Sequence, residues 1–298
     1  MAQPEFPDLA HFVAVATHLS FRRAALERGV SASALSHAIR DLEERLGVRL
    51  INRTTRSVAL TEAGQRLFAR LQPAFADIRD ALEAVNNFRD RPMGTLKLNV
   101  PRSAAIFILG PMMAEFLRKY PDIHLEITIN NGFVDIVADG YDAGIRFGEH
   151  IAKDMITTRI GPDMRFAVTG SPRYFETRPK PLTPHDLKDH DCIRRRFPSG
   201  VVQAWQFERD GEPLAVDVEG PLTLDDPDLM IQAALDGIGL TCVLEPWATP
   251  FLRSNRLVRV LEDWCPPFPG MFLYYPSRRQ MPAALRALID IMRSMQNF

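Results

Sequence analysis

Acidic residues are missing from one stretch of this sequence. None lies between Glu44 and Glu62, while Arg45, Arg49, Arg53 and Arg56 all fall there. The chain as a whole has no such bias, with 36 Lys and Arg against 37 Asp and Glu and a net charge of −1. That balance excludes a protein coated with basic charge for indiscriminate nucleic-acid binding, but it allows a local basic patch. Cysteine is scarce. Cys192, Cys242 and Cys265 are widely spaced and odd in number, so no disulfide framework or metal knuckle can be read from them. No apolar run reaches the roughly 18 uncharged residues of a membrane span. Residues 1–5 show no basic stretch leading into an apolar run, so a signal peptide is not expected and a cytoplasmic location is. Catalytic signatures are also missing: there is no G-x-S-x-G, no H-E-x-x-H and no P-loop. No catalytic residues, metal ligands or cofactor are therefore assigned. His185 and His190, interleaved with Asp186, Asp189 and Asp191, read as an exposed charged turn before they read as a metal site.

A chain of 298 residues suggests two or three domains. Three short helices come first. Residues 8–18 place Leu9, Phe12, Val13 and Ala16 on one face, with Asp8 as cap. Ser20 caps a second helix, residues 21–28, whose inner face takes Phe21, Ala24, Ala25 and Leu26. Gly29 supplies the φ > 0 turn, and Val30 is expected to plug the corner. The third helix starts near Ser31 or Ser33 and ends at Gly47. It buries Leu35, Ala38, Ile39, Leu42 and Leu46 and shows Ser33, Ser36, His37 and Arg40 outward. Two short helices about a glycine turn, the second with a polar face of small hydroxyls and an arginine, make a helix-turn-helix able to enter the major groove. Two β-prone runs follow, residues 48–53 and 54–60. They read as a wing with Arg53 and Arg56 at its tip, aimed at phosphates or the minor groove. Arg45 and Arg49 are read equally well as partners of Asp41, Glu43 or Glu44 on the helix surface.

Residues Phe12 to Ala16, Ser20-Phe21 with Ala24-Ala25, Ser33 to Ser36, Ile39-Arg40, Leu46-Gly47-Val48, Arg53 to Arg56 and Leu60 to Gly64 together resemble a LysR-type transcriptional regulator. One departure is Ala32, where that family often carries proline early in the recognition helix. The DNA-contact candidates are Ser20, Arg22, Ser31, Ser33, Ser36, His37, Arg40, Asn52, Arg53, Thr54 and Arg56. Thr61 caps a long helix whose apolar seam runs Leu67, Leu71, Phe75, Ile78, Leu82 and Val85, like that of a coiled coil. A second copy can bury this seam, which predicts a dimer through residues 67–88; packing on its own chain is the alternative. Pro73 predicts a bend or break. The resemblance implies a dimer of dimers, promoter DNA and a small-molecule effector as partners, and RNA polymerase as a further one.

From Thr95 onward, strands and helices alternate, which predicts an α/β unit with a parallel sheet. Strands are expected at 95–100, 123–130, 142–147, 165–170, 192–196, 205–208, 216–224, 240–244 and 271–275. Helices are expected at 104–120 with a bend at Gly110-Pro111, at 133–138, at 228–236 and at 282–295. Crossovers near Ile160 and Pro266 resemble a two-lobed periplasmic-binding-protein-like domain, which is also the effector domain of the resembled family. The expected division is 1–60 (winged helix-turn-helix), 61–91 (linker and dimerisation helix) and 92–298 (effector domain). In the last, lobe I takes 92–160 and 267–298, and lobe II takes 161–266. Ligands in such folds bind at strand carboxyl ends between the lobes. The candidates there are Arg102, Ser103, Asn130, Asn131, Arg146, Phe197, Ser199, Gly200 and Asp225, with Ser103 also a possible helix cap. Arg146 and the run Arg194 to Arg196 hint at an acidic effector, although a charge run is more often a solvated face. A ligand-binding module without DNA contact and an enzyme fused to a DNA-binding domain remain the competing readings. The basic wing counts against the first and the missing motifs against the second.

Overall fold

The computed structural model describes residues 6–53, 57–86, 92–132, 134–148, 151–152, 154–276 and 281–296. Three helices open it: α1 (Phe6–His18), α2 (Phe21–Arg28) and α3 (Ala32–Leu46). Helix α1 begins two residues before Asp8, so Asp8 lies in the first turn and is not the cap. Its carboxylate binds Arg45 of α3, and Arg45 therefore does not pair with Asp41, Glu43 or Glu44. The caps of α2 and α3 follow the local chemistry. Ser20 Oγ accepts from Arg23 N and Ser31 Oγ from Ala34 N, at 3.4 and 3.1 Å. Gly29 and Gly47 take φ +66° and +68°, where any other side chain is disfavoured. Val30 N donates to Ala25 O to close a Schellman turn, which leaves the Val30 side chain in solvent instead of in the corner. Leu26 and Leu46 are exposed as well. Phe12, Val15, Ala24, Leu35, Ile39 and Leu42 form the fully buried centre, each larger side chain contributing about 1.5–3 kcal/mol of apolar burial.

Strands β1 (Ile51–Arg53) and β2 (Val58–Leu60) pair antiparallel as a wing. Helix α4 (Glu62–Asn86) follows. Thr61 Oγ1 accepts from Gly64 N at 3.0 Å and donates to Arg49 O at 2.7 Å, tying helix start to wing. Gly64 passes so near the wing that a Cβ would lie 2.0 Å from Leu50 O. The helix runs on through Pro73, so the break expected there does not occur. Leu67 and Leu71 pack on the three-helix core, and the Phe75 ring lies 4.8 Å from Phe6.

The remaining chain builds two sheets. The first part supplies β3 (Gly94–Val100), α5 (Arg102–Ala104), a π-turn (Ala105–Leu109), α6 (Gly110–Lys119), β4 (Ile123–Ile129), β5 (Ala143–Phe147) and β6 (Met155–Arg159). Then come β7 (Phe166–Gly170), α7 (Pro172–Phe175), a 3-10 turn (Pro184–Asp189), β8 (Cys192–Arg195), β9 (Trp205–Arg209), β10 (Glu212–Val216) and β11 (Thr223–Leu224). The last are α8 (Pro227–Leu235), β12 (Leu240–Leu244), α9 (Glu245–Arg253), β13 (Val258–Val260), β14 (Met271–Pro276) and α10 (Ala283–Gln296). One sheet has the order β4-β3-β5-β14-β6 and the other β11-β8-β12-β7-β13. The chain passes between them at residues 160–165 and 265–270, where Met164 and Phe268 bridge the two connections.

Several local expectations are corrected. Both sheets are mixed, not parallel. β14 returns from the second sheet and runs antiparallel to β5 and β6, and β7 runs antiparallel to β12 and β13. At Gly110-Pro111 the helix widens. Pro111 has no N–H to donate, and Gly110 N reaches back five residues to Ala105 O. Around residue 135 there is a turn instead of a helix, because Asp135 Oδ1 captures the N–H groups of Val137 and Ala138. The single strand expected at 216–224 is the end of the β9–β10 hairpin and the separate short β11.

Candidate DNA interface and ligand cleft

Helix α3 is two-faced. Leu35, Ile39 and Leu42 are sealed inside, while Ser33, His37 and Arg40 are exposed, as are Arg22 on α2 and Asn52 on the wing. Ser31 and Ser33 share a hydroxyl–hydroxyl bond of 3.0 Å at the start of the helix. Ser20 and Ser31 are engaged as caps. Arg53 is not at the wing tip. It sits on β1 with its guanidinium turned inward, bonded to Ser36 Oγ at 2.9 Å and Glu43 Oε2 at 3.3 Å, and 4.8 Å from the Phe21 ring centre. Burial lowers its pKa from the ordinary value; Glu43 opposes that shift, while Arg40 and Arg49 add to it. Ser36 is engaged by the same contact. Thr54 and Arg56 lie outside the described residues.

Glu43, expected only as a partner of Arg45 or Arg49, reaches the wing instead. Its Oε1 accepts from Leu50 N and Ile51 N, at 2.8 and 2.9 Å, while Oε2 holds Arg53. One carboxylate thus fixes the wing to the recognition helix. Arg40, Arg49 and Arg53 line a groove between α3 and the wing. This leaves Arg40 and Arg49 as exposed cations on that side of the domain.

A cavity of about 530 Å³ lies between the two sheets, within the range of small-molecule sites. Arg102, Ser103, Asn131, Arg146 and Phe197 line it. Asn130, Ser199, Gly200 and Asp225 do not. Asn130 Oδ1 accepts from Gly132 N to shape its loop, Ser199 and Gly200 are in an exposed turn, and Asp225 faces solvent. Ser103 is buried against the cavity, but Pro101 holds the cap position before α5, so Ser103 is not the cap. Asn131 Oδ1 accepts from Arg102 N at 3.1 Å. The walls also include Phe147, Phe166, Phe268, Trp247 and Arg195, none of which the strand-end rule had selected.

Two of the three lining arginines have firm partners. Arg102 donates through Nε to Asp228 at 3.1 Å and approaches Asp226 at 3.6 Å, which joins the two lobes; the Asp228 bond raises its pKa. Asp228 also accepts from Trp247 Nε1 at 3.0 Å. Arg146 donates to Asn99 Oδ1 at 2.7 Å and to the backbone carbonyls of Asn99, Ile145, Asn130 and Gly132. Burial lowers its pKa. Arg146 is therefore a hub knitting β3, β5 and the loop after β4, with its hydrogen bonds spent on neutral groups.

Away from both sites, Asp186 receives the N–H groups of Leu182 and Thr183, and His190 Nδ1 lies 3.1 Å from Tyr174 Oη. Among the described residues no cluster of three metal-ligating side chains forms. The three cysteines are free; burial pushes Cys192 up to about 12, Cys265 up to about 11 and Cys242 well above its ordinary value. None is poised as a thiolate. Among the described residues no helix is long and apolar enough to cross a membrane.

A winged helix-turn-helix joined by a long helix to a two-lobed α/β domain with a cleft is the architecture of a ligand-responsive transcriptional regulator. Residues 6–65 match the bacterial regulatory helix-turn-helix of the lysR family, and residues 89–297 match the LysR substrate binding domain. The chain belongs to the LysR family of transcriptional regulators. It is 46% identical over 289 residues to the HTH-type transcriptional regulator YcaN of Escherichia coli, covering 97% of this chain and 95% of that one. It is 42% identical to PgrR of the same organism, covering 97% of each. The full-length structure of AphB, a Vibrio cholerae virulence activator, shares the fold at a TM-score of 0.66 and 24% identity, covering 97% of this chain and 99% of that one.

Proposed function

We propose that α3 of this regulator reads base edges in the major groove through Ser33, His37 and Arg40, with Arg22, Arg49 and Asn52 bearing on flanking phosphates. The observation that carries this is the exposed polar face of α3, held at a fixed angle to the wing by Glu43 and Arg53. Ser20, Ser31, Ser36 and Arg53 act by positioning that face. Thr54 and Arg56 belong to the proposed wing contact, as the basic end of the same segment. The working unit is a dimer through residues 67–88: Ile78 of the seam is exposed in the single chain, and one helix cannot cover it. Pairing sets two recognition helices on the half-sites of an interrupted palindrome. Assembly of two dimers, contact with RNA polymerase and a cytoplasmic site of action complete the reading. A ligand between the lobes alters how they meet across Arg102 and Asp228, and so how the dimers sit on DNA. The domain limits are 1–60, 61–91 and 92–298.

Arg40→Ala tests the contact. Binding to a selected duplex should weaken by about 1–3 kcal/mol while the thermal midpoint of the protein holds. Unchanged binding would remove Arg40 from the interface.

A further inference from the structure

The lining of the cleft is unevenly charged. Three arginines line it, and no aspartate or glutamate does. Arg102 is neutralised by Asp226 and Asp228, and Arg146 is saturated by carbonyl groups. Arg195 is different. It lies part-buried on β8, and its Nε has no hydrogen-bond partner. Among the described residues no carboxylate stands within 4.0 Å of it; Asp225 and Asp226 act on its charge from further off, and the Phe197 ring lies 5.4 Å from its guanidinium. A part-buried guanidinium whose carboxylates stand out of contact keeps N–H donors for a further anion.

Aromatic rings make up much of the rest of the wall. Phe166 and Phe268 stack at 5.3 Å, and Phe147 meets Phe268 edge-on at 5.7 Å. On the other side Trp247 is fixed by its bond to Asp228 and by edge contact with Phe107 at 4.6 Å. Ser103, Asn131, Gln203 and Gln206 are the wall's neutral polar side chains. We propose that the cleft takes an organic monoanion with an aromatic body, its carboxylate on Arg195 and its ring among Phe147, Phe166, Phe268 and Trp247. A guanidinium matches a carboxylate with two parallel N–H bonds, and ring faces and edges match a flat apolar body. This rests on the cleft being the effector site, and it names the chemistry of what enters.

Calorimetric titration of the full chain tests it with 3-phenylpropanoate, 1-naphthoate, the neutral 3-phenylpropanamide, phenethylamine and succinate. The two aromatic carboxylates should bind, and the amide, amine and succinate should bind at least about tenfold more weakly. Arg195→Gln should bring the carboxylates down to the level of the amide without changing the affinity of the amide, and Arg195→Lys should restore part of the difference. Thermal midpoints of both variants report that they fold. Equal binding of amide and carboxylate, preference for succinate or the amine, or no binding of either carboxylate at about 10 mM would overturn the ligand class. Ala204→Trp, which fills the cleft, separates the two claims. Carboxylate binding that survives it places the ligand elsewhere and defeats the cleft reading. Binding lost in Ala204→Trp yet intact in Arg195→Gln defeats only the assignment to Arg195.

Discussion

Arg53 donates to Ser36 and Glu43 while lying over Phe21, so its removal frees a wing strand and a helix face together. Arg53→Ala should therefore destabilise the N-terminal domain by about 1 kcal/mol, measured by denaturant unfolding. The salt dependence of DNA binding should fall by less than one unit of slope, against about one for Arg49→Ala. A slope change as large for Arg53 as for Arg49, with stability unaltered, would return Arg53 to the phosphates. The basic character of this stretch was legible in the sequence; which arginine faces inward was not, because the partners stand ten and seventeen residues away. Arg195 was hidden for a related reason, lying in a run of three arginines that reads as a solvated face until the strand end is seen to border the cleft. The cysteines make a second prediction. Their thiols hold protons more tightly in the folded protein than the ordinary value of 9.0. The stability they contribute is complete below about pH 9 and is lost as pH rises toward the folded values. A thiol reagent near pH 8 should label none of the three until the chain is unfolded. Labelling of the native protein would contradict their placement.

Local elements were legible where their causes are local. Ser20, Gly29, Ser31, Gly47 and Asp226 announce helix ends because a cap is made within a few residues. Helix α9 escaped notice because Pro246 and Pro250 read as breakers; Pro246 lies in its first turn, and Pro250 is tolerated inside. β14 could be placed in sequence but not in direction, since its antiparallel pairing follows from the return crossover. Helix α4 shows the limit of a periodic pattern. Leu67, Leu71 and Phe75 continue the seam, yet they pack on their own chain, which leaves Ile78 as the exposed apolar residue beyond them. Leu82 and Val85 belong to the same seam, but their side chains lie outside the described residues. Ile78→Asp should accordingly shift the protein from dimer to monomer in sedimentation while the helical signal stays the same. A dimer that persists would move the interface off this helix.

Across the whole molecule, two sites are built on one principle: a rigid layer holds polar groups at its edge. The N-terminal core seals one face of α3 and so presents the other. The two sheets meet at the bridge between Met164 and Phe268, and Arg102 and Asp228 span the cleft between them. Asp228 joins Arg102 of one lobe to Trp247 of the other, so an anion entering the cleft acts where the lobes are tied. Along the chain, α4 connects the recognition helix and its wing to the domain that holds the cleft. The order of domains was readable from the N-terminal motif and the strand–helix alternation. The cavity wall was not, because its aromatic residues come from β5, β7, α9 and the second crossover, remote in sequence and joined only by the fold. The account stands or falls on sequence-specific DNA reading by α3. Selection of binding sites from random duplexes with the full chain, and in parallel with Arg40→Ala, measures this directly. The full chain should enrich an interrupted inverted repeat, and the variant should lose that enrichment while remaining folded. Recovery of no common sequence, or of the same sequence by both proteins, would contradict it.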